Sequence, residues 1–530
     1  MSQSIHRKVG IASLIMMLSV FLSRVIGLLR EMVIAYIGGA GGEVDAYQVA
    51  FVIPEILNHI VASGFLSVTF IPIFSRYLSQ DREADGWRIF SIIYTVFGSL
   101  LLLLIIIAVF LAPSLVKLLA PGLVDPVKFQ MAVRMTRIII PAQFFFFSGG
   151  IYMAVQFAKE KFAIPALAPL LYNMGIIAGG ALLGPKLGME GFAWGVLGGA
   201  FIGNFAVQYF GARQIGMQFS PTFTFRNPDL IRYIKLTLPL IVGLTMMFST
   251  EIFLKFFGSF LPPGSIAGLN YGLRVMLMMV GLFGQAIGVA ATPFLSRLAV
   301  ENRLDEMNTL LNTTLRYLGL VIPFSVLFIV LREEVVTILF QRGQFDSTAT
   351  ALTARVLLFL MTGAFAFAAQ TVVVRGYYAM QNTLLPTALC SFAVLLSVPL
   401  YIIGMNLMGV SGIALAISVS SILQVTLLYA FWNRRSGNTK SGKVYLFYGR
   451  MFILAAILGG ILEPLKNLIR LQLAENTFFN SLITCLIVGT LFLFCVIVIA
   501  RRFNIPEITD TINQLKARIH RSYPPIPPDR

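Results

Sequence analysis

Arg24, Arg30, Glu31, Asp45, Glu55 and His59, and much later Glu251, Lys255 and Arg274, interrupt stretches that are otherwise almost wholly apolar. Basic groups set among carboxylates can hold and release an anion, and the planar fork of arginine matches phosphate oxygens two at a time. Arg24 and Glu31 stand seven residues apart and share a helical face. Glu251 and Lys255 are spaced to pair across one turn. Binding of an anionic cargo is the chemistry this set offers. Each member also has a structural reading. Arg30 and Asp45 can snorkel at the end of a span, and Glu251 with Lys255 can be a fixed ion pair. Glu55, beside Pro54, can face an aqueous rim, and Arg24 and Arg274 can be structural cations.

Other chemistries find little support. His6, His59 and His520 are too scattered for a metal site, so neither metal nor cofactor is expected. Cys390, Cys485 and Cys495 all fall in apolar stretches and read as small buried hydrophobes. No Ser-His-Asp set or helical HExxH marks a hydrolase. Gly437 to Lys443 has phosphate-loop spacing, but Val444 replaces the hydroxyl residue that would hold magnesium, and no strand precedes it. Energy for transport would then come from a coupling ion, the membrane potential or the cargo gradient.

The elements that carry these residues are membrane spans. Of 530 residues, 57% are hydrophobic and 12% charged, against about 25% charged in soluble domains. The apolar blocks match the roughly 20 residues that cross a bilayer. Their breaks predict an all-α polytopic membrane protein of about fourteen transmembrane helices, over 10–37, 45–75, 88–112, 130–157, 163–184, 189–211, 229–260, 266–295, 308–331, 348–379, 384–405, 409–432, 446–470 and 477–500. The net charge is +17, and the basic residues cluster in alternate loops: Arg76, Arg82 and Arg88; Lys159 and Lys161; Arg213, Arg226, Arg232 and Lys235; Arg297 and Arg303; Arg434, Arg435, Lys440 and Lys443. Gly38 to Val44 and Pro262 to Gly264 have no Lys or Arg. That bias argues against nucleic acid as a partner and places both termini in the cytoplasm. Arg7 and Lys8 precede a long apolar stretch without a cleavage site, which reads as a retained first helix.

A repeat organises the spans. Pro72-Ile-Phe-Ser-Arg76 recurs 221 residues later as Pro293-Phe-Leu-Ser-Arg297. In the same register Gly98 meets Gly319, Gly122 meets Gly343, Arg134 meets Arg355, and Gly188, Gly191 and Ala193 meet Gly409, Gly412 and Ala414. Six helices per repeat make the halves parallel, an arrangement of secondary transporters with the substrate site at the repeat interface. The expected organisation is a six-helix lobe over 1–221, a second over 222–440, two added helices within 441–502 and a basic tail over 503–530. The charged spans are the first, second, seventh and eighth. They are expected to line a central hydrated cavity, with the interiors of the other spans nearly free of charge.

Ser23-Arg24-Val-Ile-Gly27-Leu-Leu-Arg30-Glu31, then Asp45-Ala46-Tyr47 and Val49-Ala50-Phe51, resemble the opening of the MurJ (MviN) lipid II flippase family. Gly264-Ser265-Ile266, Asn270-Tyr271, Arg274, Phe340 to Phe345 and Tyr378 to Thr383 with Pro386 extend the likeness over nearly the whole chain. The resemblance implies the multidrug/oligosaccharidyl-lipid/polysaccharide exporter fold in the bacterial inner membrane. It implies a lipid-tail groove at the last two helices, and alternating access that carries an undecaprenyl-pyrophosphate-linked peptidoglycan precursor outward. It carries substrate roles onto Arg24, Arg30, Asp45 and Arg274. The chain departs from the family where Asn58 and His59 replace a common basic pair, and where Leu273 and Leu277 replace common acidic residues. Another polyprenyl-linked saccharide, an exopolysaccharide or O-antigen precursor, is therefore the first alternative cargo. A cation-coupled multidrug antiporter is the second, and it would want a less basic cavity.

Overall fold

The computed structural model describes residues 2–58, 65–245, 249–473, 477–502 and 507, and these are helical but for turns and short connecting loops. In hydrocarbon a helix satisfies every backbone donor and acceptor within one segment, which is why apolar blocks of this length take that form. Among the described residues ten helices are long and apolar enough to cross a membrane, or eleven if the bent pair Ser347–Met361 and Ala364–Ala379 (48°) forms one span. Three of the fourteen expected spans do not meet that measure. The segment 45–75 is divided into Gly42–Ala50, Val52–Leu57 and Phe65–Ser79 and includes residues outside those described. The segment 229–260 is likewise split, into Pro228–Thr245 and Ser249–Gly258. In 189–211, Glu190, Asn204, Gln208 and repeated glycines dilute the apolar content, and a π-helical turn, Phe201–Ala206, interrupts the helix.

The 221-residue offset is written in the backbone. Pro126–Ile139 and Ser347–Met361 begin 221 residues apart, Ala142–Ala158 and Ala364–Ala379 end so, and Met189 and Val410 open equivalent helices. Left-handed residues recur in the same register: Asp81 (φ 54°) with Asn302 (55°), Glu160 (57°) with Gln381 (56°), and Gly188 (56°) with Gly409 (58°). This conformation disfavours L-residues and ends helices, so its repetition marks equivalent turns.

The chain forms two compact units. One comprises Met1–Gly272, Phe340–Thr353 and Thr383–Ile417; the other Leu273–Leu339, Ala354–Asn382 and Ser418–Arg530. In the first, helices Ala168–Leu187 and Met189–Ala200 meet backbone to backbone through glycines. A Cβ added at Gly175 would collide with Gly199 Cα, and one at Gly179 with Gly195 Cα. Small residues permit such approach where no hydrophobic effect drives helices together. The repeat-equivalent helices make the same kind of contact at Gly404 and Gly412.

The linker between the repeats is fastened down. Ser220 N donates to Ser91 Oγ (3.1 Å) and Thr222 N to Thr95 Oγ1 (3.3 Å), while the Phe219 ring packs on Tyr94 and Phe90. Asn227 then starts the helix Pro228–Thr245, its Oδ1 accepting from Asp229 N (2.9 Å) and Leu230 N (3.3 Å).

In the second unit, Gly442–Gln472 and Phe478–Arg502 pack on Val321–Val330 through Ile322, Met451, Leu458, Leu462, Val488 and Phe492. A charged staple reinforces this packing. Lys466 Nζ donates to Val330 O (3.1 Å) and Glu463 Oε1 (2.9 Å), and Arg470 pairs with Glu333 (2.7 Å) and Glu334 (3.1 Å).

Replacing Gly195 by leucine is expected to cost about 1–3 kcal/mol through overpacking. Thermal melts in detergent would show a lowered midpoint. Gly198→Leu, where an added Cβ meets nothing within 4 Å, should melt like the parent.

Candidate functional site

Helix Ser2–Gly38 carries both arginines of the first span. Arg30 is half-buried, and its guanidinium donates to Asn173 Oδ1 (3.0 Å) and to Glu31 Oε1 (2.5 Å). Glu31 is buried, so this adjacent pair shares its charge with an amide from helix Ala168–Leu187. Arg24 is exposed, with no ion-pair partner among the described residues. The two arginines thus stand in different environments.

Asp45 joins two segments of the first unit. The first helix ends at Gly39 (φ 63°), and the short helix Gly42–Ala50 aims the carboxylate at the start of Ser265–Val280. Its Oδ2 accepts from Gly264 N (2.6 Å) and its Oδ1 from Ala267 N (2.7 Å). At 4% exposure the charge is met by backbone donors at a helix N-terminus, where the dipole favours an anion. A carboxylate from the first repeat thereby caps a helix of the second.

Neighbouring contacts extend this junction. Tyr271 OH donates to Gly39 O (3.0 Å), and Gln344 N donates to Tyr36 O (2.9 Å). Gly264 (φ 92°) and Gly343 (φ 59°) have no room for a side chain, because a Cβ would strike Ala40 O and Tyr36 O. Gly122, the repeat mate of Gly343, rests on the turn after helix Ser249–Gly258 and donates to Ser259 Oγ (3.0 Å). Each repeat therefore lays a glycine turn on the end of an early helix of the other. Asp45 breaks the symmetry, since its mate is Ile266.

Further along, the second and seventh spans are joined at three levels. Lys255, buried, lies 3.3 Å from Glu55 and 3.7 Å from Glu251. Thr69 and Thr237 hydroxyls are 3.4 Å apart. Asp229 accepts from Arg76 (2.7 Å) and Tyr77 OH (2.5 Å). The spacing of Glu251 and Lys255 pointed to their pair; the third member, Glu55, could not be read from local spacing. Asn58 is half-buried at the end of Val52–Leu57, and His59 lies outside the described residues. Arg274 is half-buried on Ser265–Val280 and is grouped with the second unit.

The expectation that the other spans are nearly free of charge needs correction. Lys466, inside the thirteenth predicted span, is 2% exposed in the second unit. Arg375 sits inside the tenth predicted span, on Ala364–Ala379. An arginine four residues from a span's end resembles an interfacial anchor in the sequence alone, and only its neighbours reveal otherwise. The loop with phosphate-loop spacing is a braced turn: Asn438 and Asn312 exchange amide hydrogen bonds (2.9 Å each), and Tyr429 OH donates to Asn312 (2.7 Å).

Helices of this number and order define a polytopic transporter fold. The chain is similar to the solved structure of the lipid II flippase MurJ in an inward closed conformation, with a TM-score of 0.73, 23% identity, and 92% of this chain and 99% of the other covered. It is also similar to an inward-facing multidrug resistance MATE family transporter of the MOP superfamily, with a TM-score of 0.66, 14% identity, and coverage of 78% and 94%. The family described as Lipid II flippase MurJ matches residues 34–484, and the chain belongs to it. Relatives include the probable lipid II flippase MurJ of Buchnera aphidicola subsp. Baizongia pistaciae, 29% identical over 91% of this chain and 96% of that protein. The lipid II flippase MurJ of Burkholderia cenocepacia is 28% identical over 83% and 87%. The chain is accordingly a multi-pass inner-membrane protein of a transporter family.

Asp45→Ala should free the amides of Gly264 and Ala267. Loss of a helix cap costs about 0.5–2 kcal/mol, so hydrogen exchange over 264–270 is expected to quicken several-fold, with exchange in Ala168–Leu187 unchanged.

Proposed function

We propose that this protein carries lipid II, the undecaprenyl-pyrophosphate-linked disaccharide-pentapeptide, from the cytoplasmic to the periplasmic leaflet by alternating access. Membership of the lipid II flippase MurJ family over residues 34–484 carries this reading, and relatives that align along most of their length support it. Two six-helix lobes, 1–221 and 222–440, rock about a central cavity, while 441–502 holds the lipid tail against the second lobe. Both termini and the basic tail, 503–530, face the cytoplasm, as the loop charges argue.

In this scheme Arg24, Arg30 and Arg274 receive the pyrophosphate and the sugar-peptide head, and Asn58 and His59 add neutral contacts. Arg30 already holds Glu31 and Asn173, so cargo phosphate competes for a guanidinium that is in place and oriented. The charge-poor turns at 38–44 and 262–264 are the ones joined by Asp45, Gly39 and Gly264. In this scheme that junction acts as the periplasmic gate. Lys255 has carboxylates of both the second and seventh spans within 4 Å, which lets it exchange partners as the lobes rock. A coupling ion or the membrane potential drives the return.

The test is a bacterial strain in which this protein is the sole flippase, exposed to an externally added lipid II-degrading toxin. Growth and toxin-accessible lipid II are both expected. Combined Arg24→Ala and Arg274→Ala should abolish both at normal membrane levels. Failure of the parent chain despite good expression would reject lipid II and favour another polyprenyl-linked saccharide, the reading to which Asn58, Leu273 and Leu277 lend support.

A further inference from the structure

Arg375 projects from the last turn but one of helix Ala364–Ala379 toward the helical segment formed by Gly281–Gln285 and Ala286–Val300. Its Nη1 donates to Thr292 Oγ1 and its Nη2 to Gln285 Oε1, both at 3.2 Å. Gly288 makes room for the guanidinium, since a Cβ there would come within 3.3 Å of Cζ and Nη1. Three positions of one helical segment thus receive the group, and both acceptors are neutral. No carboxylate lies within ion-pair distance among the described residues.

Other cations of the same unit are handled differently. Lys466 pairs with Glu463, and Arg470 with Glu333 and Glu334. On the turn beyond Val300, Arg297 and Arg303 share Glu301 and hold its carboxyl below the ordinary glutamate range. Arg375 is half-buried in a membrane helix, yet its charge is left uncompensated. A guanidinium has five N–H donors, and two of them are engaged here in hydrogen bonds at the long end of the range. Ionisable side chains within membrane spans usually face the protein interior or a watered cavity and mark substrate or ion pathways. Simple snorkelling would send the side chain along its own helix toward water; here the neighbouring helix holds it sideways.

We propose that Arg375, steadied by Gln285 and Thr292, is a loading subsite for the pyrophosphate of a polyprenyl-linked cargo. The proposal rests on the orientation and cargo class given under Proposed function. Ala364–Ala379 ends one turn beyond Arg375, at the turn equivalent by repeat to the basic Lys159–Lys161 turn, the side assigned to the cytoplasm. Cargo is presented from that leaflet. The fixed plane of the guanidinium leaves its remaining donors for two phosphate oxygens at little ordering cost. Sugar and peptide play no part in this contact.

The test titrates the purified full-length protein in detergent with undecaprenyl pyrophosphate, undecaprenol and inorganic pyrophosphate, reading bound lipid by native mass spectrometry. Arg375→Gln should weaken undecaprenyl pyrophosphate binding at least tenfold and leave undecaprenol binding unchanged. Arg375→Lys, retaining the charge without the fork, should recover part of the loss and serves as the folding control, together with an unchanged elution profile. Equal affinity of the Gln variant and the parent, or no binding by the parent, would overturn the subsite. Equal Arg375 dependence for inorganic pyrophosphate would overturn its assignment to a lipid cargo. Arg375-dependent binding in a chain that fails to expose lipid II in cells would reject lipid II alone and leave the subsite standing.

Discussion

A single carboxylate joins the two repeats where their early helices meet. Asp45 receives the backbone N–H groups of Gly264 and Ala267 at the start of Ser265–Val280. The cap fixes where the helix begins, and hence the register of everything that follows on it, including Tyr271 and Arg274. The glycine turns at 39, 264 and 343 are consequences of the same closeness, because each brings a backbone to a carbonyl that a side chain would strike. Such an arrangement is strong when assembled and has few intermediate forms. Two donors, one carboxylate and several positive-φ turns meet at this one place.

Away from this corner the membrane imposes a uniform demand. Polar groups have to be answered inside the protein, and the answers come mostly from the adjacent helix. Lys255 finds Glu55, the Lys466 ammonium takes a helix-terminal carbonyl, and Gln156 and Gln208 bond each other and nearby backbone. Arg375 is answered by neutral groups alone.

Much of this was legible in the sequence. The spans follow from hydropathy, and the repeat register found in Pro72 and Pro293 reappears as matched left-handed turns at residues 81 and 302 and at 160 and 381. The breaks were less visible. Phe51 and Val52 look like any apolar pair, but Pro54 has no N–H for the Ala50 carbonyl, which accounts for the interruption between Gly42–Ala50 and Val52–Leu57. The site was legible as a set of residues and opaque as a set of partners. Asp45 reads equally well as an interfacial acid until its oxygens are seen against Gly264 and Ala267. Arg375 and Glu334 were hidden by their closeness to span ends, where charge is usually unremarkable.

The covalent strap between the repeats is sewn to Ser91 and Thr95 by its own backbone, with Phe219 tucked among the rings of the first repeat. Its slack is therefore confined to the few residues between Thr222 and the Asn227 cap. The helix beyond the cap is tied to the first repeat as well, Asp229 accepting from Arg76 and Tyr77 and Thr237 meeting Thr69, so lengthening the strap upstream of Ser220 would leave these anchors in place.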